Sequence, residues 1–351
     1  MSAHKKSSII FGFFCALTFL NLLFISQKII KYLEHEIVVN KNAIDDIVSR
    51  LLIKIDRKDS LSLEEHITAN KRLLIKNGSF ELSNTPAKEL ICDAKREIVF
   101  KYILKQDSLF QESKKNKAFM DKPLFENKVF EDCALVSNSG DLNGLGNGKL
   151  IDLHDMVMRF NFAPTNGYEA DVGEKTSVRY SNSQPLRNDI NVPFPESFYE
   201  ASPQVFWDTT EYDTPLTTWR NKPFFKRFIE RREKNASQII HIQNSESVWS
   251  IFDWLQSEVK GIQYKTPPTT GFLGFILALQ HCRRIRLFGF IPIFPPTKKC
   301  HYYSNITSDK CIVWHPVSAE KLIFLQLNEG SLQETYQHGF ITVHGFPGVK
   351  C

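Results

Sequence analysis

Cys133-Ala-Leu-Val136 is a short apolar run, followed at once by Ser137-Asn-Ser-Gly-Asp-Leu-Asn-Gly-Leu-Gly-Asn-Gly148, a loop made almost wholly of small and polar residues. An apolar run that stops at a glycine-rich turn reads as a buried strand delivering its carboxyl end to a loop. Further apolar strand candidates at 177–180, 238–242 and 285–290 are separated by helical stretches. That alternation predicts an α/β domain with a Rossmann-like, mostly parallel sheet flanked by helices, whose ligands bind beyond the carboxyl ends of the strands. Loop 137–148 then lies where such sheets hold nucleotides, and its glycines allow close backbone approach. The spacing is not G-x-G-x-x-G, so an ordinary glycine-rich surface turn accounts equally for this segment taken alone.

Outward from this core, 351 residues with 42% hydrophobic content suffice for one large domain plus an extension, or for two ordinary domains. The net charge of +5 comes from scattered Lys and Arg without a long basic run, which argues against a nucleic-acid partner and fits a small anionic substrate. At the amino end, Lys5 and Lys6 precede an uncharged apolar stretch over 9–25, broken only by Gly12, Thr18 and Asn21. As a helix it is about 26 Å long, enough for a thin early-secretory bilayer. It exceeds the roughly 7 to 15 apolar residues of a signal peptide, and Ser26-Gln27-Lys28 offers no small-x-small cleavage site. An uncleaved anchor follows, with residues 1–8 cytosolic and the rest lumenal, the type II arrangement.

Residues 26–91 are rich in Lys, Glu, Asp, Asn and Ser and read as a lumenal stem before a main domain over 92–351. Within the stem, Ile44, Ile47, Val48, Leu51, Leu52 and Ile55 form one apolar helical stripe. Self-association of the chain through this stem and docking on the main domain both fit such a stripe. Of seven cysteines, Cys15 is in the anchor, and the six that remain can pair completely in an oxidising compartment. Sequons at Asn77, Asn235 and Asn305 agree with a lumenal location.

Two helix starts carry chemistry. Pro267-Pro268 breaks the chain before a helix at about Thr270, and Thr269 or Thr270 can cap its free amides, making an end suited to a phosphate. The chain has no D-x-D metal motif, the nearest match being Glu211-Tyr-Asp213, so no metal or other cofactor is expected and dipoles and hydroxyls would neutralise an anion. His315 precedes Pro316, which suits the first position of a helix, so the imidazole falls near a positive helix end that disfavours its charged form. A neutral histidine there can act as a general base, although a capping or core role would explain a lone histidine as well. Glu320 reads locally as a carboxylate favouring the amino end of its own helix.

The run from Cys133 through Ile151-Asp-Leu-His-Asp-Met-Val-Met-Arg-Phe-Asn-Phe-Ala-Pro-Thr-Asn-Gly-Tyr-Glu-Ala-Asp-Val-Gly-Glu-Lys-Thr176 to Asn182-Ser-Gln184 resembles the large sialylmotif of the animal-type sialyltransferases. Pro267-Pro-Thr-Thr-Gly-Phe-Leu-Gly-Phe-Ile-Leu-Ala-Leu-Gln-His-Cys282 and the residues to Phe290 resemble the small sialylmotif. Cys300-His-Tyr-Tyr303 resembles motif III, and His315-Pro-Val-Ser-Ala-Glu320 the very small motif, His-x4-Glu. All four stand in the family's order, and the resemblance covers about 92–351. Asn182-Ser-Gln, Trp207-Asp208, Lys321 and the ending Gly345-Phe-Pro-Gly-Val-Lys-Cys351 look most like the β-galactoside α-2,6 branch.

The resemblance implies a Golgi membrane enzyme with a variant GT-A glycosyltransferase fold. It would move sialic acid from CMP-sialic acid to the terminal galactose of N-acetyllactosamine-type glycans, without metal. By position, Asn138, Asn161, Asn182, Thr270, Trp314 and Lys321 match the donor site, His315 the catalytic base, and Gln184 and Trp207 the acceptor side. The same resemblance implies disulfides Cys133–Cys282, Cys300–Cys311 and Cys92–Cys351. Trp314 replaces a usual Tyr, His301 replaces a Tyr, and the segment between Cys311 and His315 is short. These departures leave α-2,3 or N-acetylgalactosamine-directed transfer, and a non-catalytic glycan- or nucleotide-binding protein, as alternatives.

Overall fold

The run at Cys133 is the end of a central strand in the computed structural model, which describes residues 81–351 except 83–84, 112–114, 187–200, 261–264, 292, 294–296, 298, 308–314, 332–334 and 336–337. The expected anchor over 9–25, Cys15, the stem helix, Asn77, Cys311 and Trp314 lie outside the described residues. Among those described, no helix is long and apolar enough to cross a membrane.

The strands are β1 (Glu81–Leu82), β2 (Tyr102–Ile103), β3 (Phe130–Val136), β4 (Met156–Phe160), β5 (Val178–Asn182), β6 (Gln204–Trp207), β7 (Ile240–Gln243), β8 (Val259–Lys260), β9 (Cys282–Phe288) and β10 (Phe340–His344). The helices are α1 (Ala87–Glu97), α2 (Gly148–Asp152), α3 (Glu169–Val172), α4 (Leu216–Trp219), α5 (Pro223–Lys234), α6 (Ser245–Glu258), α7 (Thr270–His281) and α8 (Val317–Leu327). The main sheet runs β10-β9-β3-β4-β5-β6-β7-β2. The strands from β9 to β7 pair parallel, and the edge strands β10 and β2 pair antiparallel. Chain order runs outward from β3 to β7 and then returns to place β9 on the other side of β3. That reversal is a topological switch point, the place where open α/β sheets form a crevice for ligands.

Composition explains the arrangement. All five residues of β4, Met-Val-Met-Arg-Phe, are buried, as expected of a strand covered on both faces. Val157 packs with Ala134, Val136, Ile151 and Tyr302 in one core cluster. On the other face, Met158 and Phe160 meet Gly274 of α7 so closely that a Cβ on that glycine would lie 2.8 Å from the Met158 sulfur and 2.5 Å from the Phe160 ring. Helix α7 is apolar all round, with Phe272 through Leu279 buried, because Phe324 of α8 and Trp254 of α6 cover the side that the sheet does not. A second core, rich in aromatics, joins Phe110, Phe119, Trp219, Phe224, Phe225 and Phe228 beneath β6 and β7.

The strand limits differ from the sequence reading for local reasons. Strand β9 starts at Cys282 rather than 285 because Arg283 and Arg284 ion-pair with Glu131 and Asp132 at the start of β3. It stops at Phe288 because Gly289 turns the chain with φ +73°. Packing also begins ahead of Cys92: β1 pairs with β8, and Leu90 and Ile91 of α1 are buried. Cys92 bonds Cys351, and Cys133 bonds Cys282, as the resemblance implies. Cys300 is also disulfide-bonded, its expected partner Cys311 being outside the described residues.

Helix α2, which ends the glycine-rich loop, lies hard against α3. A Cβ on Gly148 would fall 1.8 Å from the Glu169 carbonyl oxygen. Backbone cannot yield as a side-chain tip can. Gly148→Ala is therefore expected to destabilise the protein by about 3 kcal/mol, the upper part of the overpacking range, read as a lower urea midpoint. An unchanged midpoint would show that the α2–α3 contact is looser than described.

Candidate active site

The crevice at the switch point is built from the loops that leave β3, β4, β5 and β9. Ser137 donates its hydroxyl to the Gly289 carbonyl at 2.9 Å, tying the ends of β3 and β9 together. The Asn138 carbonyl accepts from the Tyr302 amide at 3.1 Å, and Asn138 Nδ2 donates to the Tyr303 hydroxyl at 3.3 Å. Asn138 Oδ1 is buried with no hydrogen-bond partner among the described residues. A buried amide oxygen left in this state costs free energy unless something donates to it. Tyr302 is fixed in turn by its hydroxyl bond to the Pro164 carbonyl at 2.6 Å, and His301 stacks on Tyr303 with centroids 5.2 Å apart.

Asn161 and Asn182 belong to the same wall. Asn161 follows β4 in a left-handed conformation, φ +47°, which asparagine tolerates better than most residues. Its Oδ1 accepts from the Asn182 amide at 3.1 Å, and Asn182 Oδ1 accepts from the Gln184 amide at 3.1 Å. Both side-chain oxygens are thus occupied. Arg179 supports the turn, donating to the carbonyls of Asn161 and Ala163 at 2.9 and 3.1 Å. Gln184 is exposed beside them.

The glycine-rich loop behaves differently from the expectation. Gly144 and Gly146 adopt positive φ, and their amides donate to the Asp171 carboxylate at 2.8 and 2.9 Å. The far half of the loop is therefore a docking strap closed on α3. The near half is tied instead to the end of β9 and to the segment after it, through Ser137, Asn138 and Gly140.

Opposite this wall stands the amino end of α7. Of the two candidate caps, Thr269 is the one used: its Oγ1 accepts from the Phe272 amide at 3.0 Å. Thr270 Oγ1 accepts from Trp207 Nε1 at 3.1 Å. Trp207 is only 6% exposed, which makes it a support beneath Thr270 rather than an open platform for a sugar. Asp208 is gripped by the Ser183 hydroxyl and the Lys222 ammonium.

His315 completes the cluster. Its Nδ1 lies 2.8 Å from the Pro267 carbonyl, and its ring meets Trp207 edge-on with centroids 6.3 Å apart. A carbonyl can only accept, so Nδ1 carries the proton and Nε2 keeps its lone pair. Burial holds the imidazole below the usual 6.5, while the Pro267 bond acts in the opposite direction. The neutrality expected from the helix end thus arises chiefly from desolvation. Pro316 is the N-cap of α8 rather than its first residue, leaving His315 one position outside the helix.

Glu320, in the first turn of α8, does not serve its own helix. Both carboxylate oxygens reach Thr269, accepting its amide and its hydroxyl at 2.6 Å each. Burial raises its pKa from 4.5 to about 7, against the bonds from Thr269 and the charge of Lys321. Sequence reasoning missed this contact and the Asp171 strap, since neither lies within one local element. Because the folded-state pKa exceeds the unfolded one, this group's stabilising effect is complete below about 4.5 and is lost as pH rises through about 7. Relative to Glu320→Gln, which cannot titrate, the wild type should lose unfolding free energy between these limits. Parallel stability–pH curves for the two proteins would contradict the burial assigned to Glu320.

Comparison with known proteins gives the family of this chain. The model of Glycosyltransferase family 29 (sialyltransferase) matches residues 81–332. The beta-galactoside alpha-2,6-sialyltransferase 2 of Homo sapiens is 30% identical over 297 residues, 83% of this chain and 56% of that protein. The Gallus gallus protein of the same name is 31% identical over the same length. The Danio rerio protein is 36% identical over 225 residues, 62% of this chain and 44% of its own. The chain thus spans about half the length of the curated relatives it matches. A crystal structure of a mammalian sialyltransferase superposes with a TM-score of 0.40 at 22% identity, covering 70% of this chain and 77% of that one. With the family model matched from β1 to beyond α8, across the crevice and both helix ends, this chain belongs to glycosyltransferase family 29, the sialyltransferases.

Proposed function

We propose that the protein transfers sialic acid from CMP-sialic acid to the terminal galactose of N-acetyllactosamine-type glycans in α-2,6 linkage, as a single-pass type II Golgi enzyme with its catalytic domain lumenal. The observation that carries the reading is His315, whose Nδ1 is committed to the Pro267 carbonyl beside the amide end of α7. A base and a phosphate-ready helix end, on two segments distant in sequence, are thereby held side by side. The similarity to beta-galactoside alpha-2,6-sialyltransferases supports the β-galactoside acceptor and the linkage.

The reaction is a single inverting displacement. His315 Nε2 takes the proton from a galactose hydroxyl as its oxygen bonds to the anomeric carbon of sialic acid, and the bond from that carbon to the CMP phosphate oxygen breaks. Because that carbon is fully substituted, the transition state is cation-like and the leaving phosphate carries the negative charge. The amides at the start of α7 and the Thr270 hydroxyl meet that charge, with Lys321 nearby. Asn138, Asn161 and Asn182 hold the cytidine and ribose side of the donor, with Trp314 as its aromatic wall. Gln184 lies toward the acceptor, and Trp207 acts on it indirectly, by holding Thr270 and His315. No divalent ion enters any step.

The test uses the full chain in detergent with CMP-sialic acid and N-acetyllactosamine, with and without a chelator. An α-2,6 product that resists chelation and falls by at least about 100-fold in His315→Ala supports the reading. Release of no CMP and no sialylated product from the folded protein, with any galactose or N-acetylgalactosamine acceptor, would leave a binding protein instead. An α-2,3 product would overturn the linkage alone. The base works unprotonated, so kcat/KM should rise with pH on a limb centred below the usual 6.5 of imidazole, in line with the downward shift at His315. A limb centred above 6.5 would point to another base.

A further inference from the structure

Helix α5 opens on a cation where the helix dipole disfavours one. Lys222 is its N-cap, Pro223 follows as the first residue, and no acidic side chain stands in the first turn. The backbone there is fixed: the Lys222 amide donates to the carbonyl of Trp219, which is fully buried in the aromatic core beneath β6 and β7. The carboxylate that α5 lacks comes from the sheet. Lys222 Nζ bonds Asp208, the first residue past β6, and the Thr209 carbonyl beside it. Asp208 is 8% exposed, and its other oxygen takes the hydroxyl of Ser183, the first residue past β5. One buried carboxylate therefore joins two neighbouring strand exits to a helix, and among the described residues Lys222 is the cation paired with it.

Those exits carry the site. Trp207, just before Asp208, bonds Thr270 and meets the His315 ring. Asn182 and Gln184 flank Ser183, and they are held unequally. Asn182 pairs with Trp207 in the ladder and donates its amide to Asn161, whereas Gln184 lies past the strand with its amide on Asn182 Oδ1. A shift of Ser183 therefore displaces Gln184 before it displaces Asn182. Lys222 itself stands outside every stretch that carries the family resemblance.

We propose that Lys222 is a positioning residue: by pairing with Asp208 it locks the exits of β5 and β6 to α5, and so fixes Gln184, on the acceptor side, relative to Trp207 and His315. This deepens the transferase reading and rests on it. Lys222 touches no reacting atom and acts through the Asp208 carboxylate. Without the ammonium, Asp208 becomes a buried charge held by one hydroxyl, a state that the strand exits relieve by opening to water.

Steady-state kinetics of the full chain with Lys222→Met, Asp208→Asn and the two together test this. Lys222→Met keeps the apolar stem and removes the charge. Its KM for N-acetyllactosamine should rise by about tenfold, the size of a lost hydrogen bond to a charged group, while its KM for CMP-sialic acid moves by less than about threefold. Lys222→Gln, which loses the charge and keeps a donor, should raise the same KM by less, and it stands in if the Met variant does not fold. In the Asp208→Asn background Lys222→Met should cost less than about twofold further, because the charge it served is gone. A residue that only held the fold would lower the unfolding midpoint and leave the acceptor KM of the folded enzyme unchanged at low temperature. Wild-type acceptor KM in the Lys222 variants, an equal rise in both KM values, or effects of Lys222→Met and Asp208→Asn that add would overturn the proposal. If the wild type turns over no sugar, the transferase reading fails by itself. The same cycle read in unfolding midpoints then decides the lock: shifts that fall short of their sum support it, and additive shifts overturn it.

Discussion

The Pro267–Thr270 turn is where this structure is most tightly constrained. Its carbonyl at Pro267 takes the His315 Nδ1 proton, its amide and hydroxyl at Thr269 go to a buried Glu320, and its Thr270 hydroxyl takes the Trp207 indole N–H. Two segments distant in sequence, the end of β6 and the start of α8, converge on four residues. Each contact is polar and at least partly withdrawn from water, so a loss would leave a donor or acceptor unsatisfied. The turn can afford no slack, and neither can the imidazole attached to it.

The sheet supplies the frame for that constraint. Because β9 returns beside β3 after the chain has run out to β7, α7, which leads into β9, lies on the sheet against β4, and its amino end meets the end of β6 at Trp207. The disulfide Cys133–Cys282 links β3 to the first residue of β9, directly after α7, so the helix is anchored covalently at one end and by the Glu320 cap at the other. Asn138, Asn161 and Asn182 line the facing wall, each on the first or second residue past a strand or at its last position.

Much of this was readable in the residues. Strands β3, β5, β7 and β9 were found because buried parallel strands are continuous apolar runs, whereas β4, β6 and β10 were not singled out, and the α7 cap was found because Pro-Pro before Thr-Thr-Gly is a local signal. What escaped was long-range and polar. A glycine-rich loop predicts backbone freedom but not which group will take its amides, and here Asp171 takes those of Gly144 and Gly146. Glu320 near a helix start has a sufficient local explanation, so nothing in the sequence pointed it at Thr269. Trp207 looked like a surface for a sugar, yet the packing of β6 under α7 buries it. Such contacts depend on which elements become neighbours, and topology decides that.

His315 presents an unprotonated Nε2 because its Nδ1 is committed to Pro267, and the base role rests on that tautomer. Nitrogen NMR of the histidine-labelled full chain, with the His315 signals assigned by their loss in His315→Gln, tests it most directly. At pH 7 the account predicts a neutral ring protonated at Nδ1 and bare at Nε2. A ring protonated at Nε2, or an imidazolium at that pH, would contradict it.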